Sequence, residues 1–191
     1  WEDATTGKYY FLHDRIRQHL SDALELEEKQ RLHRRYADIL SERMPESYYE
    51  LAFHYNLAGE TKKASSFAVL AARTACKRNA LETAVFYFQI ALLDPECALD
   101  GKLREELADC CMLMGDYPRA LELYQQTFEE ASAKLDRARL LGKLGELHQK
   151  RGQVGEASRS ILKAIKLLGG AVPESAIGRR VETAWRLFTE L

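Results

Sequence analysis

The chain has 191 residues, of which 46% are apolar and 30% charged, with a formal net charge of −1. That balance lacks the basic excess that nucleic acid or a membrane surface rewards, so neither is expected as a partner. No apolar run reaches the roughly 18 residues that a spanning helix needs, and no signal peptide is visible. The four cysteines, Cys76, Cys97, Cys110 and Cys111, sit inside helical patterns without framework spacing and read as reduced, small apolar residues of a cytoplasmic protein. The start at Trp1 and the stop at Leu191 inside a helical pattern are what a piece of a longer protein would show.

Residues 8–12 form a short aromatic run of high strand propensity. Asp14 is placed to cap a helix over about 15–24, with Ile16, Leu20 and Leu24 on one face. A second helix is predicted over 27–43 from Leu32, Tyr36, Ile39 and Leu40, stopped by Pro45. The spacing then predicts helices over 46–58, 62–78 and 81–93, the last closed by Asp94-Pro95. Two pairs follow, 101–114 with 117–133 and 136–151 with 154–168. A loop at Gly169-Gly170 and Pro173 leads to a last helix over 175–190 that contains Trp185.

A helix breaker followed five positions later by alanine recurs four times, at Gly59/Ala64, Asn79/Ala84, Gly115/Ala120 and Gly152/Ala157. Phe88, Tyr124 and Ile161 stand four positions after three of those alanines. Intervals between the alanines are 20, 36 and 37 residues. The short interval means that helix 62–78 is shared, closing one unit and opening the next. Its five alanines at 64, 68, 71, 72 and 75 suit a helix packed closely on both sides.

These positions resemble the tetratricopeptide family, whose pattern is Trp-x2-Leu-Gly-x2-Tyr in the first helix and Ala-x3-Phe in the second. The first helices read Tyr48-x2-Leu51-Ala52-x2-Tyr55, Arg104-x2-Leu107-Ala108-x2-Cys111 and Leu141-x2-Leu144-Gly145-x2-His148. The second helices read Ala84-x3-Phe88, Ala120-x3-Tyr124 and Ala157-x3-Ile161. Small residues at 52, 108 and 145 would let the paired helix approach. The resemblance implies an all-α, right-handed α-solenoid of helical hairpins, with units of about 45–78, 62–95, 101–133 and 136–168 and an incomplete unit at 175–191.

A second resemblance covers the first half. Phe11-Leu12-His13-Asp14-Arg15-Ile16-Arg17, Leu32-His33-Arg34-Arg35-Tyr36-Ala37 and Leu51-Ala52-Phe53-His54-Tyr55 are similar to a stretch of STAND and related AAA-type signalling ATPases. There an ATPase module precedes a winged-helix-like element, and helical repeats follow. Residues 1–44 would then be the end of a winged-helix-like or helical coupling element, and 45–191 the repeats. The resemblance implies that an upstream ATPase contacts this region. It implies no cofactor here, because the chain has no Gly-x4-Gly-Lys-Ser/Thr phosphate loop.

The remaining chemistry is sparse. The histidines at 13, 19, 33, 54 and 148 share no i, i+4 face that would seat a metal. His13, His33 and His54 read as structural hydrogen-bonding residues. Arg31, Arg34 and Arg35, interleaved with Glu27, Glu28 and Asp38, read as a solvated face of ion pairs. Met112, Met114 and Tyr117 read as core. No nucleophile is singled out, and no catalytic, cofactor or metal site is expected.

In the tetratricopeptide family the first helix of each pair lines a concave groove. Carried to this chain, the resemblance implies a protein-binding groove of Tyr49, Phe53, Asn56, Glu105, Asp109, Met112, Glu146, Gln149 and Lys150. Tyr49, Glu105 and Gly142 stand where a carboxylate clamp would need donors, so that clamp is rejected. Glu105 and Asp109 make the groove's centre acidic, which points to a basic or amphipathic helical ligand. The function expected is a non-enzymatic scaffold or sensor module of a larger ATP-dependent signalling or transcription-regulatory protein. The alternatives are a structural or dimerisation module, and a nucleotide-binding or enzymatic fragment.

Overall fold

The structure, a computed structural model, describes residues 2–3, 8–9, 18–19 and 22–170. Helices α1 to α9 span Leu26–Arg43, Tyr48–Leu57, Thr61–Lys77, Leu81–Ala91, Pro95–Ala98, Gly101–Leu113, Tyr117–Glu130, Lys134–Lys150 and Val154–Leu167. Outside them, strands β1 (Glu2–Asp3) and β2 (Lys8–Tyr9) pair antiparallel, with Glu2 opposite Tyr9. The aromatic run at 8–12 thus begins in a strand. Half of the helix expected over 15–24, and all of that over 175–190, lie outside the described residues.

Five of the helix breaks are built by one device. Gly59, Asn79, Gly115, Gly152 and Gly169 all have positive φ, between 56° and 84°. At each, the next residue's N–H reaches back five positions, as Glu60 does to Tyr55 and Asp116 to Cys111, both at 2.9 Å. This closes the helix's last carbonyls and turns the chain sharply. Asn79 serves in place of glycine because its short polar side chain tolerates the left-handed region. After the first four, the following helix starts within two residues, which fixes the breaker-to-alanine spacing of five.

Each helix packs on the next one or two in sequence: α1 on α2, α2 on α3, α3 on α4, α4 on α6, α6 on α7, α7 on α8 and α8 on α9. This is the nearest-neighbour stacking of a solenoid. The shared helix α3 lies between α2 and α4, and its five alanines are all buried. Large residues fill the space around such contacts, with Leu51, Phe88, Leu107 and Tyr124 in one continuous core. Ala37 and Leu40 of α1 belong to that same core. The close approach expected at Gly145 is present, since a Cβ built there would lie 2.9 Å from Ile161 Cγ1.

Three local readings need correction. Asp94-Pro95 does more than end a helix: the Asp94 carboxylate accepts the Glu96 N–H and starts the short helix α5, with Pro95 in its first turn. The helix expected to 133 stops at Glu130, because Ala131 turns to extended backbone at ψ 124°. Met112 is core as expected, but Met114 caps α6 and is exposed.

Candidate protein-binding surface

Two matching polar clusters join successive helices. Asp38 on α1 accepts hydrogen bonds from Tyr55 Oη of α2 at 2.9 Å and from Lys63 Nζ of α3 at 3.2 Å. Asp109 on α6 accepts from Tyr124 Oη of α7 at 2.5 Å and from Lys143 Nζ of α8 at 2.6 Å. In both, the lysine also lies over the tyrosine ring, at 4.9 and 5.8 Å from the centroid. The helix triplets α1–α2–α3 and α6–α7–α8 therefore carry the same Tyr–Asp–Lys geometry, and α2 stands to α1 as α7 stands to α6.

That equivalence separates the residues expected to line one groove. Tyr49, Phe53 and Asn56 lie on α2, whose lateral neighbour is α4: Tyr87 Oη donates to the Tyr49 carbonyl at 3.1 Å and the two rings meet edge-on at 5.3 Å. Glu105, Asp109 and Met112 lie on α6, whose side chains reach α8. Glu146, Gln149 and Lys150 follow along α8, with Glu146 and Lys150 paired at 3.7 Å. The structure joins Glu105 and Asp109 of α6 to α8 through Arg139 and Lys143, and turns Tyr49 of α2 toward α4.

The acidic centre expected at Glu105 and Asp109 is neutralised within the fold. Lys143 lies 2.8 Å from Glu105 and 2.6 Å from Asp109, and Arg139 lies 3.0 Å from Glu105. Glu105 is only 6% exposed, so its charge belongs to the interior of this joint. Burial disfavours the Lys143 ammonium, but hydrogen bonds to Asp109 and Glu105 outweigh it and hold its pKa above the ordinary lysine value. Burial, reinforced by the Asp109 carboxylate, pushes the Tyr124 phenol far up. Beside Glu105 a cleft of about 430 Å³ opens between α6, α7 and α8, lined by Leu99, Lys102, Thr127, Glu130, Asp136 and Arg139.

Several cross-helix pairs share an offset. Lys62–Glu96, Asp109–Lys143 and the Cys76–Cys110 sulfurs are 34 residues apart, Glu105–Arg139 likewise (139 − 105), and Arg73–Glu106 33. The partners Lys143 and Arg139 were legible from the sequence by stepping 34 residues from Asp109 and Glu105; the alanine intervals of 36 and 37 obscured this.

An exposed aromatic pair lies on α1 and α2. Tyr36 of α1 and Phe53 of α2, 47% and 41% exposed, flank His54, with ring centroids 4.5 and 5.4 Å from it. His54 Nδ1 lies 2.9 Å from His33 Nδ1, a hydrogen bond that requires one nitrogen to be unprotonated. Burial lowers both pKa values, and for His54 the neighbouring His33 adds to this while Glu50 opposes it. His33 and His54 are thus structural hydrogen-bonding residues, as expected, and His13 lies outside the described residues. Two arginines of the basic cluster on α1 form ion pairs, Arg31 with Glu28 at 3.3 Å and Arg34 with Glu60 at 2.7 Å. Among the described residues no His, Cys, Asp and Glu side chains cluster as a metal site would need, and no helix is long and apolar enough to cross a membrane.

No protein-family model and no curated protein matches the sequence. Solved structures do. A structure titled "Crystal structure of MamA protein" superposes with a TM-score of 0.50 at 16% identity, covering 73% of this chain and 86% of that one. Another, "Crystal structure of MamA", gives 0.50 at 17% identity, covering 85% and 97%. The fold is an all-α helical-repeat solenoid of tetratricopeptide type.

Proposed function

We propose that this chain is a non-enzymatic protein-interaction module that engages an amphipathic protein or peptide segment. The observation that carries it is the exposure of Tyr36 and Phe53 on a framework whose own charges are internally matched. Rings held on packed helices offer apolar contact area at little entropic cost to a partner. The polar cleft and the Glu146, Gln149 and Lys150 row offer separate hydrogen-bonding groups on α6 to α8. A purely basic ligand loses its electrostatic rationale, because Glu105 and Asp109 already face Lys143 and Arg139.

The finer reading places the module as the sensor or regulatory region of a larger ATP-dependent signalling or transcription-regulatory protein in the cytoplasm. Support for it is the resemblance over the first half of the chain, and a phosphate loop in upstream sequence is its test. Binding of a partner would bias the repeat packing, and α1, sharing the core through Ala37 and Leu40, would transmit that bias.

Affinity capture tests the binding surface. Wild type is compared with Phe53→Ser and with Arg159→Ala on the far end, each first matched for urea midpoint. Loss of the same captured protein from Phe53→Ser alone supports the reading. Identical captured sets from all three overturn it.

A further inference from the structure

We propose that Cys76 and Cys110 are a reversible disulfide site that staples α3 to α6, with a small-molecule disulfide as the oxidant. The two sulfurs lie 3.3 Å apart, on helices whose contact bridges 34 residues of sequence, and both are free thiols. A disulfide needs a sulfur–sulfur distance of about 2.0 Å, so closure asks for an approach of only about 1.3 Å. The helices are already held at this crossing. Three and four residues earlier, Arg73 donates two parallel hydrogen bonds to Glu106, at 2.8 and 3.1 Å.

The remaining cysteines do not compete. Cys97 sits in α5. Cys111 follows Cys110 by about 100° around the helix and faces the corner formed by Asp116 and Arg119. The Cys76–Cys110 pair also has an entry path. A pocket of about 390 Å³ opens between α3 and α6, and both cysteines form part of its wall with Arg73, Lys77, Glu106 and Leu113. Asp109 also lines it, but its carboxylate is engaged by Lys143, as Glu106 is by Arg73. Lys77 stands at the rim and favours an oxidant that carries carboxylates.

The chemistry is thiol–disulfide exchange. Cys76, the less buried of the two, attacks one sulfur of the oxidant RSSR as its thiolate. The oxidant's sulfur–sulfur bond breaks, and the departing RS⁻ takes up the proton that Cys76 released. Cys110 then loses its proton and attacks Cys76 Sγ, expelling the second RS⁻, which takes up that proton. Two cysteine sulfurs are oxidised by two electrons in all, and one RSSR becomes two RSH. Burial holds the Cys110 thiol well above the ordinary cysteine range, so Cys110 acts as the resolving rather than the initiating group.

The staple would fix the joint that contains α4 and the irregular helix α5, turning two flanking stacks into one stiff body. This inference stands independently of the binding function proposed above.

The test uses the wild-type chain. It is incubated with glutathione disulfide, alkylated, digested and mapped by mass spectrometry, and its thermal unfolding is followed in parallel. The expected result is a Cys76–Cys110 peptide link, loss of two of the four free thiols, and a Tm rise on the order of 10 °C that dithiothreitol reverses. Cys97→Ser should leave the link intact, and Cys76→Ala should abolish it. Glutathione retained on Cys97 alone, links through Cys97 or Cys111, or persistence of all four thiols would each overturn the proposal. The mapping is read on wild type, so a variant that folds poorly does not blunt it.

Discussion

Gly145 offers a test in which two physical effects have opposite signs. In the middle of α8, replacing glycine by alanine should stabilise the helix by about 1 kcal/mol through backbone entropy. The new Cβ would lie 2.9 Å from Ile161 Cγ1 and 3.4 Å from the Ala157 carbonyl. Cγ1 is attached directly to the branched Cβ of Ile161 and cannot swing away without leaving its rotamer, and overpacking of that kind costs about 1–3 kcal/mol. The expected net effect of Gly145→Ala is therefore a destabilisation of about 1 kcal/mol. In an Ile161→Ala background the clashing atom is gone, and the same change should stabilise by up to about 1 kcal/mol. The coupling between the two sites is then about 2 kcal/mol, well above the few tenths expected of independent positions. Urea titrations of the four proteins, compared at constant slope, measure it. If Gly145→Ala alone raises the urea midpoint, the steric account of the α8–α9 contact is wrong.

Three further outcomes follow from the same structure. Lys143→Met should destabilise by about 2–3 kcal/mol, a little under the full cost of orphaning a buried charge because Arg139 still reaches Glu105, while Arg159→Ala on its exposed Glu156 pair should change the midpoint by less than about 0.5 kcal/mol. Because His33 and His54 have folded pKa values below the ordinary 6.5, the unfolded chain binds more protons near that pH; stability should be full above it and fall as the pH drops toward 5, with His54→Gln flattening the profile measured by urea midpoint. Gly115→Ala should cost about 1–2 kcal/mol at its left-handed φ of 82°, whereas Asn79→Gly should leave thermal stability equal or slightly higher.

Much of this architecture could be read from single residues. The breakers at 59, 79, 115 and 152 placed the helix ends to within about three residues, because a left-handed corner admits few side chains. Alanine on several sides of α3 announced its two neighbours. The α5 helix escaped notice because Asp-Pro reads as a stop in one direction and as a cap in the other. The candidate surface was less legible. Local spacing assigns Tyr49 and Phe53 a helix, but which helix lies beside it is settled by contacts such as Tyr49 with Tyr87, 38 residues away. The charges at Glu105 and Asp109 were visible, while the cations that neutralise them lay a full repeat downstream, where a count of local composition does not look.

The 34-residue offset also governs how such a protein can change its length. A duplication of 34 residues would set each residue opposite its own copy, so that Asp109 and Glu105 would face an aspartate and a glutamate instead of Lys143 and Arg139, and the new seam would need compensating cations. A gain or loss of any other length within a helix would shift donors and acceptors out of step along the whole downstream stack. Only connections such as the one that holds α5, between Ala91 and Gly101, have slack to absorb an irregular number of residues.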